Sequence, residues 1–164
     1  GLTDLGREYV KEAQRLGMLI DVSHISDEAF WDIMDITQAP IVASHSNSRA
    51  VCDHTRNLTD EMFKAICQTG GMVGFNQYIK FVGGDADMAA ASRHIEHLLS
   101  IDPGAEHIAL GADFDGCDQV TTGISGIQDY PKFADYLLES GLEQGVIDNL
   151  FWNNAMGVMK KCCM

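Results

Sequence analysis

Four short, mostly apolar runs, at 18–22, 41–43, 72–75 and 107–112, alternate with stretches whose apolar residues recur at helical spacing. Strand, helix, strand in this rhythm predicts parallel βαβ units. Every run also ends in a polar cluster: Asp21-Val22-Ser23-His24, Ser44-His45-Ser46-Asn47, Asn76-Gln77-Tyr78 and Asp113-Phe114-Asp115-Gly116. In a (β/α)8 barrel all strand C-termini converge on one mouth, where the chemistry sits. An open doubly wound sheet binds ligands mainly around its switch point. Polarity at all four ends therefore favours the barrel. A whole barrel needs about 250 residues, and this chain has 164. The expected fold class is α/β, about four βα units, half of a TIM barrel.

The helical stretches carry recognisable boundaries. Thr3, Ser26 and Thr59 stand as N-caps before apolar-periodic segments, and Gly17 and Gly70 close two of them. The run at 18–22 is expected to be a strand buried on both faces. Pro131 opens a short helix through Leu138, and 146–159 reads as the closing one. The net charge of −13 argues against a surface that neutralises phosphates, so no nucleic-acid partner is expected. Hydrophobic residues at 46 % and charged ones at 21 % fit a globular chain rather than a disordered one. No apolar run is long enough for a membrane segment. Five cysteines without framework spacing suggest a reducing compartment. A cytoplasmic setting is expected, with a secreted form left open because the chain opens on Gly1 rather than Met.

His24 and His45 are the sharpest pair. Each ends one of two successive strands, so parallel pairing brings both imidazoles to one rim, an arrangement suited to Zn2+. Either alone would more simply close its strand end on a loop carbonyl. The polar segment 46–58 is long for a βα connection and holds Arg49 and Arg56, which could fork onto a substrate carboxylate or form surface ion pairs. Asp113, directly after the fourth run, could move a proton at a metal site; with Asp115 it could equally cap a turn at Gly116. His94 and His97 lie on the body of a predicted helix, and His107 at a strand start, so structural roles are expected of them. His54 lies in the long loop with no fixed direction. Cys52, Cys67 and Cys117 are expected to be inert thiols.

Taken together, 17–24, 43–47, 56–60 and 111–116 resemble the membrane dipeptidase (renal dipeptidase) family of zinc peptidases, in order and spacing, along essentially the whole chain. The resemblance implies a metal-dependent (β/α)8 TIM barrel with two Zn2+ per complete site, hydrolysing dipeptides. It makes His24 and His45 the histidine ligands of one zinc. Arg56 becomes the group that binds the free carboxylate, and Asp113 the proton-transfer residue. Tyr78 falls, more loosely, among substrate contacts. The family's His-x-Asp pair and bridging glutamate have no counterpart here. Residues 1–164 are accordingly expected to form a single partial domain, the C-terminal half of the barrel, with the N-terminal half absent.

The leading expectation is a zinc-dependent dipeptidase, active only with the missing half. A homo-oligomer or association with that half is expected. The alternatives are an inactive half-barrel that acts only in binding or assembly, and a related metal-dependent amidohydrolase.

Overall fold

The structure, a computed structural model, describes residues 1–163; Met164, the last residue of the expected domain, lies outside them. Four strands, β1 (Ile20–Asp21), β2 (Ile41–Ala43), β3 (Met72–Asn76) and β4 (Ile108–Ala112), form one sheet in the order β1-β2-β3-β4. Every neighbouring pair is parallel. Helices α1 (Asp4–Arg15), α2 (Asp27–Met34), α3 (Asp60–Gln68), α4 (Ile79–Val82) and α5 (Met88–Ile101) precede or connect the strands. After β4 come α6 (Tyr130–Glu139), α7 (Gln144–Asp148) and α8 (Asn154–Cys163), the last two joined by a widened helical turn. The expected closing helix is thus longer at both ends. The single-turn α4 left no periodic signal to read.

The caps act as their chemistry requires. Thr3, Ser26 and Thr59 accept from the amides of Gly6, Ala29 and Met62, and Asp87 from that of Ala90. Alternation along the strands sends Ile41, Ala43, Val73, Phe75 and Ile108 into the helix-side core, where they meet Phe30, Phe63, Ile66, Ile95, Phe133 and Leu137. No helix among the described residues is long and apolar enough to cross a membrane.

The run at 18–22 departs from its expectation. Only Ile20 and Asp21 pair, Met18 is 53 % exposed and Asp21 is exposed. The reason is positional: among the described residues β1 is an edge strand, hydrogen-bonded to β2 and to no other strand.

At two glycines of the sheet the neighbouring backbone comes very close. An ideal Cβ on Gly74 would lie 2.1 Å from the Ser44 carbonyl oxygen, and one on Gly111 only 1.9 Å from it. Two glycines on neighbouring strands thus make room for the backbone that leads into His45.

β4 ends irregularly. Phe75 aligns with Leu110 but Asn76 with Ala112, so β4 holds one extra residue there. Ala112 and Asp113 then both adopt positive φ, 52° and 67°. Two successive non-glycine residues in this region are costly, and such strain collects at working sites. Its effect here is to re-aim Asp113.

Candidate active site

His24 follows β1 and His45 follows β2, and their Nε2 atoms lie 2.8 Å apart, with ring centroids at 4.8 Å and planes inclined by 59°. Parallel pairing with Ile20 opposite Ile41 brings the two strand ends level. His45 is held from behind. Its Nδ1 lies 2.7 Å from the Ser44 hydroxyl, which itself donates to Asp21 in a short contact. Its backbone amide donates to the Ser23 hydroxyl at 2.9 Å. Asp21 also accepts from the amides of Ser23 and Ser44, at 3.1 and 3.0 Å. Although Asp21 is exposed at the sheet edge, the protein around its carboxyl displaces water and pushes its pKa up, but these bonds outweigh that and hold it below the usual carboxylate range.

Burial lowers the pKa of His45, against the pull of Asp113 and Asp21; His24 and Arg56 add to the lowering. A neutral imidazole is the form that can give a lone pair to a metal. Asp113 brings Oδ2 within 4.0 Å of His45 Nε2. The Asn76 amide donates to that oxygen at 3.3 Å and the Cys117 thiol approaches it at 3.6 Å. Asn76 is itself fixed by a reciprocal pair with Asn47, at 2.7 and 2.9 Å, and its Oδ1 accepts from the Tyr78 amide at 2.7 Å.

Arg56 lies over the Phe81 ring, its Cζ 5.4 Å from the centroid. No carboxylate forms an ion pair with it among the described residues. Burial lowers its pKa, partly offset by the charges of Asp113 and Asp21, so this guanidinium shares the field of the same mouth. Arg49 is differently placed: it is committed to Asp27 and to two backbone carbonyls. Tyr78 packs edge-on against Phe81, centroids 4.9 Å apart, on the arginine side of the site.

The structure therefore gathers His24, His45, Asp113 and Arg56 at the strand C-termini and sets Tyr78 beside Phe81. Asp115 is exposed and has no hydrogen-bond or ion-pair partner among the described residues. His54 packs at a tilt against Phe81, centroids 4.7 Å apart, and accepts a hydrogen bond from the Arg56 amide. His94 is wholly buried between the Ser48 amide and the Val82 carbonyl, His97 pairs with Asp60, and His107 bonds the Gly71 carbonyl. Burial, with the Asp113 charge next, pushes the Cys117 thiol up to about 11, leaving it protonated and unreactive. Sequence reasoning gave no role to Asp21, Ser44, Asn47, Asn76 or Cys117. The first four lie in the polar strand-end clusters, the one signal that could have marked them.

Among the described residues no three His, Cys, Asp or Glu side chains converge tightly enough to hold a metal ion. The donor chemistry still fits part of one: two Nε2 atoms meet, and one ring is oriented by a hydrogen-bonded serine–carboxylate relay.

A parallel βα sheet whose strand ends collect two imidazoles, a carboxylate and a guanidinium has the layout of a metal-dependent barrel hydrolase. The comparisons make that class specific. Residues 1–163 match the membrane dipeptidase family (Peptidase family M19), and the chain belongs to it. A protein of Klebsiella pneumoniae from the pqqA 5' region is 39 % identical across 98 % of this chain and 60 % of its own length. Mouse Dipeptidase 3 is 30 % identical across 98 % of this chain and 33 % of its own. The crystal structure of a metallopeptidase from Rhodobacter sphaeroides, liganded with a phosphinate mimic of the dipeptide L-Ala-D-Ala, superposes with a TM-score of 0.93 at 33 % identity. It is matched over 99 % of this chain and 47 % of its own. The family's metallopeptidase fold is a TIM barrel, and this chain covers about half of it. The expectations of family and fold class hold.

Proposed function

We propose that this chain supplies the metal-histidine pair, the proton-transfer group and the carboxylate anchor of a zinc-dependent dipeptidase. The observation that carries the reading is the convergence of the two Nε2 atoms, 2.8 Å apart, with Asp113 4.0 Å from His45 and an arginine, over Phe81, near enough for the charges of Asp113 and Asp21 to act on it. The phosphinate dipeptide mimic on the Rhodobacter relative supports a dipeptide as the substrate class.

His24 and His45 would hold the zinc. A bound Zn2+ supplies Lewis acidity toward a carbonyl oxygen and acidifies water. Arg56 anchors the free C-terminal carboxylate through its guanidinium fork, which selects dipeptides over longer chains. Asp113 takes the proton of the attacking water on Oδ2 and passes it to the departing amine. The Asn76 amide steadies that oxygen between the two transfers.

The remaining ligands would come from the other half of the barrel or from a second copy of the chain. The edges support such a closure. Among the described residues β1 and β4 each pair with one strand only; Tyr9, Leu16 and Met18 are exposed on the β1 side, and Trp152 in the turn that packs on β4. The chain without that complement is expected to be inactive. The testing experiment is Arg56→Ala in the assembled, metal-loaded enzyme. KM for a dipeptide should rise about 10- to 100-fold, while that for its C-terminally amidated analogue stays put. Equal changes for both overturn the carboxylate role.

A further inference from the structure

We infer that Asp21, acting through the Ser44 hydroxyl, fixes the ring proton of His45 on Nδ1 and leaves its Nε2 lone pair facing the mouth. Proton counting forces the assignment. A serine hydroxyl has one proton to give, and a carboxylate can only accept. Ser44 donates to Asp21 Oδ2 in the short contact. Toward His45 Nδ1, 2.7 Å away, the Ser44 oxygen can then only accept. His45 therefore carries its proton on Nδ1 and none on Nε2.

The partner ring follows. His24 Nε2 lies 2.8 Å from that lone pair, so the proton between them belongs to His24. The two imidazoles are not equivalent. His45 is preset by the fold to meet a cation, whereas His24 must first move or lose its Nε2 proton. Asp21 is thus a positioning residue for the proposed metal pair, and it touches neither substrate nor metal.

The surroundings make this testable with one isosteric change. Asp21 Oδ1 accepts two backbone amides, from Ser23 at 3.1 Å and Ser44 at 3.0 Å. In Asp21→Asn those two donors demand the amide's oxygen at that position, which turns its NH2 toward Ser44. Ser44 then accepts from the amide and donates to His45 Nδ1, which at 2.7 Å is a better acceptor than the Ser23 hydroxyl at 3.4 Å. The ring proton moves to Nε2 and covers the lone pair.

The tautomers can be read from two-bond 15N–1H correlations of 15N-histidine-labelled, metal-free protein in mildly alkaline buffer. Wild type should show His45 protonated on Nδ1 and His24 on Nε2. Asp21→Asn should move the His45 proton to Nε2 and weaken Zn2+ binding, measured against a competing chelator, by about 10- to 100-fold. A wild-type His45 protonated on Nε2, or one unmoved in Asp21→Asn, overturns the inference. Should Asp21→Asn lose its amide dispersion, Ser44→Ala replaces it: removing the acceptor should give mixed His45 tautomers, and a ring still wholly Nδ1-protonated sinks the idea. The last step rests on the proposed metal pair. A wild type with the assigned tautomers that binds no Zn2+ refutes that reading and leaves the proton assignment standing.

Discussion

Arg49 grips both backbone carbonyls that flank Arg56. Its Nε donates to the Asn57 oxygen at 2.8 Å and its Nη2 to that of Thr55 at 3.2 Å. The rest of the fork closes on Asp27, at 2.6 and 2.9 Å. Asp27 opens α2, directly after the loop that carries His24. One side chain therefore ties the loop of the proposed metal pair to the loop of the proposed carboxylate anchor, and sets the span between them.

Arg49→Lys should loosen that span. Lysine keeps the charge opposite Asp27 but has no planar fork to reach two carbonyls. In the assembled enzyme, KM for dipeptides should rise about 10-fold with zinc content unchanged, and the amidated analogue should be spared. The pair is partly exposed, 20 % and 47 %, so the loss of stability should be small, about 1 kcal/mol or less. A matching loss on acid and amide substrates would assign Arg49 to the fold alone.

Asp113→Asn should separate proton transfer from binding. The amide keeps the size of the carboxylate but has no basic oxygen. Turnover of a dipeptide should fall about 10^2- to 10^4-fold, while zinc content and melting temperature stay near wild type. Undiminished turnover removes Asp113 from the mechanism.

Much of this arrangement is legible in the sequence itself. The strand-end polar clusters announce the mouth and hold His24, His45 and Asp113, while Arg56 stands out in the long polar segment 46–58 that follows the second of them. What hid the remainder was its dependence on register. Asn76 meets Asp113 only because β4 carries an extra residue and two positive-φ steps at its end. Asp21 reaches Ser44 only because Ile20 aligns with Ile41. Neither alignment leaves a mark in composition or periodicity. The shortness of β1 was hidden for a different reason. Apolar residues at 18–20 look alike whether a neighbouring strand covers them or not.

His94 gives the fold a defined acid sensitivity. Its Nδ1 accepts from the Ser48 amide at 3.2 Å and its Nε2 donates to the Val82 carbonyl at 2.9 Å, so the neutral ring joins the Arg56 loop to the end of α4. Burial lowers its pKa from 6.5 to about 4. Between those values the unfolded chain binds a proton that the native chain refuses. Its contribution is whole above about pH 6.5 and is lost as pH falls toward 4, by about 3 kcal/mol in total. Urea midpoints at pH 7.5 and 4.5 should differ accordingly in wild type, and His94→Gln should flatten that difference. An unchanged slope in the variant would place the acid sensitivity elsewhere.

Gly74→Ala tests whether the packing beneath the site also sets its chemistry. The added methyl would stand 2.1 Å from the Ser44 carbonyl oxygen and 3.0 Å from the Gly111 Cα. Both are backbone, so no rotamer change relieves the overlap, and a cost of about 3 kcal/mol is expected. The displaced segment is the one that carries Ser44 into its contacts with Asp21 and His45. Zn2+ affinity should therefore fall together with the urea midpoint. Gly145→Ala is the control: it lies in α7 with nothing within 4 Å of an added methyl. That change should raise stability by about 0.5–1 kcal/mol and leave metal affinity alone. A Gly74→Ala protein destabilised but binding Zn2+ as tightly as wild type would uncouple the sheet's packing from the orientation of His45.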